Sequence, residues 1–309
     1  MKMQTLGWVF GAAVLTSSAS IVACSQSTTQ CSAGNADAAS FAVKYYGKTS
    51  PAPACAVPGD VIGFGTFHQP GGGDDKKQPD FSTPAGVALQ LESMGTLVSD
   101  EEGAGILDPK AEHKPYSLGV FATLEPDSAG FCAVNAPAAA EKDYPAVPDD
   151  PATMEDESVP AASLKAEWSN VKIYVTAAAQ GTQFSGHLKQ TKDSCVAEYD
   201  VAGVWPAIPC GMDVDDGVDA MGKPKTKTVV DPVQCCPAAD PNGGRATGSG
   251  INPDFPLKCD PELFLCVLDI KDPSELPALN PTWAADSDGV PTGICKLTPP
   301  PSGSTSTGM

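Results

Sequence analysis

The chain has 309 residues, with 19 Lys and Arg against 38 Asp and Glu, for a formal net charge of −19. A field of that sign repels phosphate backbones, which sets nucleic-acid binding aside, and it disfavours adsorption to anionic lipid. Thirty Gly and thirty Pro interrupt long helices, and no segment keeps a 3.6-residue apolar period, so a mainly β architecture is expected.

In chain order, Lys2 comes first, and Leu6 to Ala23 is uncharged, most apolar from Trp8 to Leu15. That run has the length of a signal h-region and is short for a membrane span, so residues 1–23 are set apart from the fold as a signal segment. It ends in Ile21-Val22-Ala23-Cys24. These four residues resemble the lipobox of bacterial lipoprotein signal peptides of type II. The resemblance implies cleavage before Cys24, a thioether-linked diacylglycerol on its side chain, and an acyl anchor worth about 0.8 kcal/mol per buried methylene. Ser25, in the place where an Asp would retain such a protein, implies transfer to the outer membrane, facing the periplasm or the cell surface. Residues 24–54 then comprise the lipidated cysteine, a polar tether from Ser25 to Gln30 and an N-terminal segment. No later run approaches 18 apolar residues, so membrane contact is expected through the anchor alone.

Residues 55–210 read as a β-rich domain. Val61 to His68, Val87 to Val98, Tyr116 to Leu124 and Phe131 to Val134 are strand candidates, the last after a turn at Pro126-Asp127-Ser128. The firmest signal follows. Val171, Ile173 and Val175 alternate; Phe184, Gly186 and Leu188 repeat the period; Cys195, Ala197, Tyr199 and Val201 repeat it again. With turn-like residues at 178–181 and 191–194 between them, the three runs predict an antiparallel meander. The fold class expected is mainly β, an antiparallel β-sandwich-like core with a loop-rich, disulfide-stapled C-terminal region.

Ala136 to Ser163 is rich in Pro and Ala and has seven acids against one Lys, which reads as a solvated insertion or a linker. Gly71 to Asp80 reads as a polar loop. Residues 211–298 are dense in Cys, Pro and Gly, with one compact apolar run from Leu263 to Ile270, and residues 299–309 are a low-complexity tail expected to be disordered.

Eleven cysteines are present; assigning Cys24 to lipid leaves an even set of Cys31, Cys55, Cys132, Cys195, Cys210, Cys235, Cys236, Cys259, Cys266 and Cys295. No C-x-x-C occurs, which argues against zinc-ribbon, thioredoxin-like and haem-attachment motifs and for structural disulfides in an oxidising compartment. Proximity suggests Cys31–Cys55, Cys195–Cys210 and Cys259–Cys266. Adjacent Cys235 and Cys236 are expected to find separate partners, with Cys295 and Cys132 as candidates.

Candidate chemistry is sparse. Asp213, Asp215 and Asp219, and Asp286 and Asp288, lie in turns similar to calcium loops, where alternate carboxylates and a Gly wrap a hard cation. Calcium is therefore a candidate cofactor, but both turns lack the full spacing and the closing Glu, so acidic surface turns are the plainer reading. His68, His113 and His187 form no paired metal motif; His187 is expected on the solvent side, opposite Phe184 and Leu188. Gly248-Ser249-Gly250 is only a fragment of a nucleophile elbow. Trp168 and Trp205 are expected as core or edge plugs, while Tyr174 points away from the Val171/Ile173/Val175 stripe, where it could serve a carbohydrate or protein ligand. The expectation is a membrane-anchored, non-catalytic binding or envelope-structural module. The alternatives are a secreted hydrolase with a site assembled from distant residues, or a calcium-stabilised adhesion-type module.

Overall fold

The computed structural model describes residues 29–33, 39–48, 55–71, 78–103, 113–146, 148, 158, 160–177, 179–219, 221–235 and 248–279. The signal segment, Cys24, Cys236, Cys295, Trp283, Asp286, Asp288 and the 299–309 tail lie outside them.

Nine strands form one antiparallel sheet. At its middle β1 (Ala39–Gly47) lies between β2 (Gly59–Phe67) and β9 (Cys195–Val204), with Val43 opposite both Asp60 and Gly203. Beyond β2 come β3 (Gly86–Leu91) and β4 (Ser117–Val120). Beyond β9 come β8 (Gln180–Lys192) and the 14-residue β7 (Ala162–Val175). Two short strands, β5 (Phe131–Ala133) and β6 (Ala140–Tyr144), pair with different halves of β7. The two ends of the sheet then meet. Phe121 bridges Val134, the Ala122 N–H donates to the Ala133 carbonyl, and the N–H groups of Asn135 and Ala138 donate to the carbonyls of Val120 and Leu118. The sheet therefore curls into a barrel, leaving little open edge to pair with another chain. The mainly β, antiparallel expectation holds, and the two layers are opposite walls of a single sheet.

Inward residues follow the period of two that the sequence carries. Phe41 and Val43 from β1, Ile62 and Phe64 from β2, Val87 and Leu89 from β3, Phe184 and Leu188 from β8 and Tyr199 and Val201 from β9 are all buried. Rings fill the interior: Phe41, Phe64 and Phe184 lie 5.3–5.5 Å apart centroid to centroid, with Trp168 at 6.4 Å from Phe184. Gly203 is required by this packing, since a Cβ there would come within 2.2 Å of the Phe184 ring.

The run expected as one strand from Val87 to Val98 divides. Its first part is β3, and its second belongs to helix α1 (Glu92–Gly103), seated by the fully buried Met94 and by Asp60, whose carboxylate accepts from the Ser93 hydroxyl at 2.6 Å. The stretch Ala136 to Ser163 is also corrected. It contains β6, in register with β7 from Ala140 opposite Ala166 to Tyr144 opposite Ala162, so this part belongs to the sheet.

The chain after β9 forms a second layer on the barrel wall. An exposed hairpin, β10 (Gly211–Val218) and β11 (Pro224–Val230), is followed by the small pair β12 (Leu257–Cys259) and β13 (Cys266–Leu268) and a 3₁₀ turn at Pro273–Glu275. Ile251, Phe255, Leu257 and Leu268 cluster with Ala42, Ala202 and Val204, outward positions of β1 and β9. Tyr174 joins this cluster, so it is buried rather than presented to a ligand. Two polar ties fix the layer. Lys44 reaches the buried Asp260 at 2.8 Å; burial works to raise that carboxyl, but Lys44 and the amides of Glu262 and Leu263 hold it below the usual range. Gln183, fully buried, donates to the Ala278 carbonyl at 2.8 Å and accepts from its N–H at 3.1 Å.

The proposed local disulfides are replaced by long-range ones: Cys31–Cys132, Cys55–Cys195, Cys210–Cys259 and Cys235–Cys266, spanning 101, 140, 49 and 31 residues. The reason lies in the topology. Because β1 pairs with both β2 and β9, the segment before β2 lies beside the start of β9. Cys259 and Cys266 do face each other across β12 and β13, yet each bonds to another segment. Cross-links over loops of this size limit the unfolded chain by about 4–5 kcal/mol for the longest in the chain-entropy picture.

Two outcomes are expected. Gln183→Leu leaves both Ala278 backbone groups without their partner and should cost about 1–3 kcal/mol in denaturant titration. It should also admit limited proteolysis first near residues 270–279; cleavage elsewhere would contradict the role. Burial pushes Asp60 up to about 6, against hydrogen bonds from Ser93 and the Val61 N–H. A carboxyl raised in this way contributes stability that is complete below its unfolded value near 3.8 and is lost as pH rises through 6, by up to about 3 kcal/mol. The wild type should therefore gain more in melting temperature than Asp60→Asn between pH 7.5 and pH 5, and equal gains would refute the assignment.

Candidate functional site

The outer face of β7, β8 and β9 is where polar side chains converge beside the second layer. In β7 the register shifts between Ser169 and Lys172, with Asn170 at φ 53°, and this irregularity places Asn170 and Lys172 at the edge of a cleft of about 370 Å³. Ser185 and His187 line it from β8, Asp200 from β9, and Asp272, Pro273 and Ser274 close it from the 3₁₀ turn. Asp272 caps that turn by accepting from the Ser274 amide and hydroxyl, which hold its carboxyl below the usual range.

His187 is the centre of this group. It lies directly opposite Asp200, with Nδ1 at 3.3 Å from Asp200 Oδ1 and Nε2 at 3.7 Å from Glu198 Oε2. Lys48 reaches the same Asp200 oxygen at 2.8 Å. The ring therefore lies between two carboxylates, one of them already balanced by a lysine. Ser185 is two residues along the same face, but among the described residues no serine hydroxyl is hydrogen-bonded to His187. The group can hold a polar ligand through donors on Asn170, Lys172 and Ser185 and acceptors on Asp200 and Asp272.

His187 lies on the expected face, half-buried. His68 follows β2 and packs on the Phe81 ring at a centroid distance of 4.6 Å. Ser249 is buried, and its hydroxyl accepts from the Ile251 N–H, so Gly248-Ser249-Gly250 is a turn. Asp213, Asp215 and Asp219 lie on the β10–β11 hairpin and its turn. Asp213 accepts from the Thr228 hydroxyl, Asp215 from the Gly217 N–H, and Asp219 from the N–H groups of Met221 and Lys223. Among the described residues, these three do not gather into a group of ligating atoms within 4.8 Å of one another. Cys210, Cys235 and Cys266 do, but as members of two neighbouring disulfides.

A second surface was not read from the sequence. Phe67 lies opposite Gly86, Gly86 opposite Val120, and Ala88 opposite Leu118, so Phe67, Val120 and Leu118 share one outer face across three strands. All three are more than two-fifths exposed. The signal available was the apolar Leu118 and Val120 in alternation, without a means of telling which face they took.

The model of the MlpA family matches residues 39–206, from the first residue of β1 to just past β9. The chain belongs to the MlpA family. The matched stretch is the barrel, and the second layer lies beyond it. The Myxococcus xanthus protein named "Putative lipoprotein MlpA" is 31% identical over 145 residues, which cover 47% of each chain. The chain thus spans about half the length of the curated relative it matches. No solved structure matches it.

Proposed function

We propose that this chain is a lipoprotein, anchored through acyl chains on Cys24 at the outer membrane and exposed to an oxidising compartment. There it acts as a non-catalytic binding or envelope-structural module. The observation that carries the reading is the use of cysteine. Among the described residues four disulfides tie the barrel and the second layer, a density that belongs to extracytoplasmic proteins, and in the sequence Cys24 directly follows the lipobox-like residues. The name of the Myxococcus xanthus relative supports the same address. The filled interior favours a scaffold that works at its surface, and the face bearing Phe67, Leu118 and Val120 offers apolar area of the kind used in binding.

The test is intact mass with thiol counting on protein from the native membrane fraction, beside Cys24→Ala. The expected result is a lipid-sized increment that the variant loses, together with release of the variant from the membrane and no free thiol in either form. An unlipidated wild type, or free thiols at Cys31, Cys55, Cys132 or Cys195, would overturn the reading.

A further inference from the structure

The N-terminal segment is fixed to one end of the barrel. Cys31 is bonded to Cys132, its N–H donates to the Leu124 carbonyl at 2.8 Å, and the Ala33 N–H donates to the Thr66 hydroxyl at 2.9 Å. The exposed Gln30 donates from Nε2 to the Phe81 carbonyl at 3.3 Å. Thr66 directly precedes Phe67, the last residue of β2, and Phe81 packs its ring on His68, the residue after it. The N-terminal segment therefore leaves the barrel beside Phe67 and Phe81. Cys24 lies six residues before Gln30, a stretch that spans at most about 20 Å when extended. The 14-residue β7 runs for about 45 Å, so the parts of the barrel within reach of a surface at Cys24 are at this end.

The wall beside this end carries no charge. Outward positions of β2, β3 and β4 are those alternating with the buried Ile62, Phe64, Val87 and Leu89, and none holds an Asp, Glu, Lys or Arg. The one charged residue of these strands, Asp60, takes the other side and holds Ser93. On β8 and β9 the outward positions carry Lys189, Glu198 and Asp200 instead. Phe67, Leu118 and Val120 project from the charge-free wall, and Phe81 at its rim is 55% exposed. Apolar area gains by leaving water, whereas a charged wall would lose its hydration against lipid. In a chain of net charge −19, this wall lets the barrel approach a bilayer without bringing carboxylates to it.

We propose that the wall bearing Phe67, Leu118 and Val120, with Phe81 at its rim, rests on the zwitterionic lipid surface to which Cys24 is anchored. This orientation depends on the anchor proposed above and adds a protein contact to it. The acyl chains hold the protein at the bilayer, and the wall sets which side of the barrel faces lipid. The charged outer faces of β8 and β9, with the His187 cleft, then face water.

The test places the lipidated full mature chain in phosphatidylcholine–phosphatidylethanolamine vesicles, floats them on a density gradient, and uses lipids brominated high on the acyl chain as quenchers. The emission that Leu118→Trp adds over the wild type should be quenched in the floated protein. The emission added by Lys189→Trp, on the outer face of β8, should not. Should Leu118→Trp misfold, Phe81→Trp reads the same point from the loop. Flotation without quenching at 118 and 81, or with equal quenching at 189, would overturn the docking and leave the anchor standing. A wild type that fails to float would overturn both. In Cys24→Ala without vesicles, the emission added by Leu118→Trp should not change with protein concentration. A blue shift that grows with concentration would assign the wall to a second copy of the chain and overturn the lipid contact.

Discussion

β1 lies between β2, which follows it, and β9, which comes some 150 residues later in the chain. That placement closes the seam of the sheet, and most of the architecture depends on it. A meander that never returned to its first strand would be an open sheet with two long edges, each a template for association. Here the late strand covers one side of β1, and the far ends are joined through Phe121 and Val134. The β1–β9 contacts are separated by much of the domain, so they cost loop entropy before they return any packing. Cys55–Cys195 spans this seam and Cys31–Cys132 crosses to β5, which places the longest cross-links where the chain must come back upon itself.

The second layer docks where small and apolar residues interrupt the polar outer face of β1 and β9. Most outward positions of the barrel are polar, as in Lys189, Glu198 and Asp200, but Ala42, Ala202 and Val204 are small or apolar and lie on neighbouring strands. Burying them needs a cover, and Ile251, Phe255, Leu257 and Leu268 supply it. Near Ala278 the cover is gripped by Gln183, and its rim is the 3₁₀ turn that walls the His187 cleft. Cleft and second layer are therefore one consequence of the same docking.

The inner face of the barrel was legible because a period of two reports burial directly: Val171, Ile173 and Val175, Phe184 and Leu188, and Tyr199 and Val201 all point inward as their alternation implies. The register of β8 on β9 was also within reach. Lys192 pairs with Cys195 across a two-residue turn, and counting back from it sets His187 against Asp200. What pattern does not carry is long-range partnership. Nothing local says that Cys55 meets Cys195 rather than Cys31, because that depends on β1 accepting β9. The 136–163 stretch misleads for a related reason: Glu141, Lys142 and Asp143 read as solvated charge, and they become strand only because β7 is long enough to pair with β5 and β6 in turn. At Glu92 the apolar alternation simply stops, and the Ser93 contact that seats the helix comes from Asp60, thirty-three residues earlier.

Among the described residues most carboxylates serve local turns and simple ion pairs, and at two places a pair of them converges on a histidine. The two groups differ in exposure, and exposure decides how strongly their charges interact. His187 has one-fifth of its side chain in contact with solvent, and its partners Glu198 and Asp200 are 41% and 35% exposed. Water and salt screen such a group, and Lys48 already balances the Asp200 oxygen that faces the ring. His113 is 11% exposed, with Glu141 and Asp143 at 30% and 27%, and its lysine occupies the Glu141 oxygen turned away from the ring. Lower effective permittivity strengthens the ion pair that ties Glu141 to Lys165. The same pairing of a histidine with two carboxylates is therefore part of an open, screened cleft beside the second layer, and on β6 a half-buried group tied to the facing strand by Lys165.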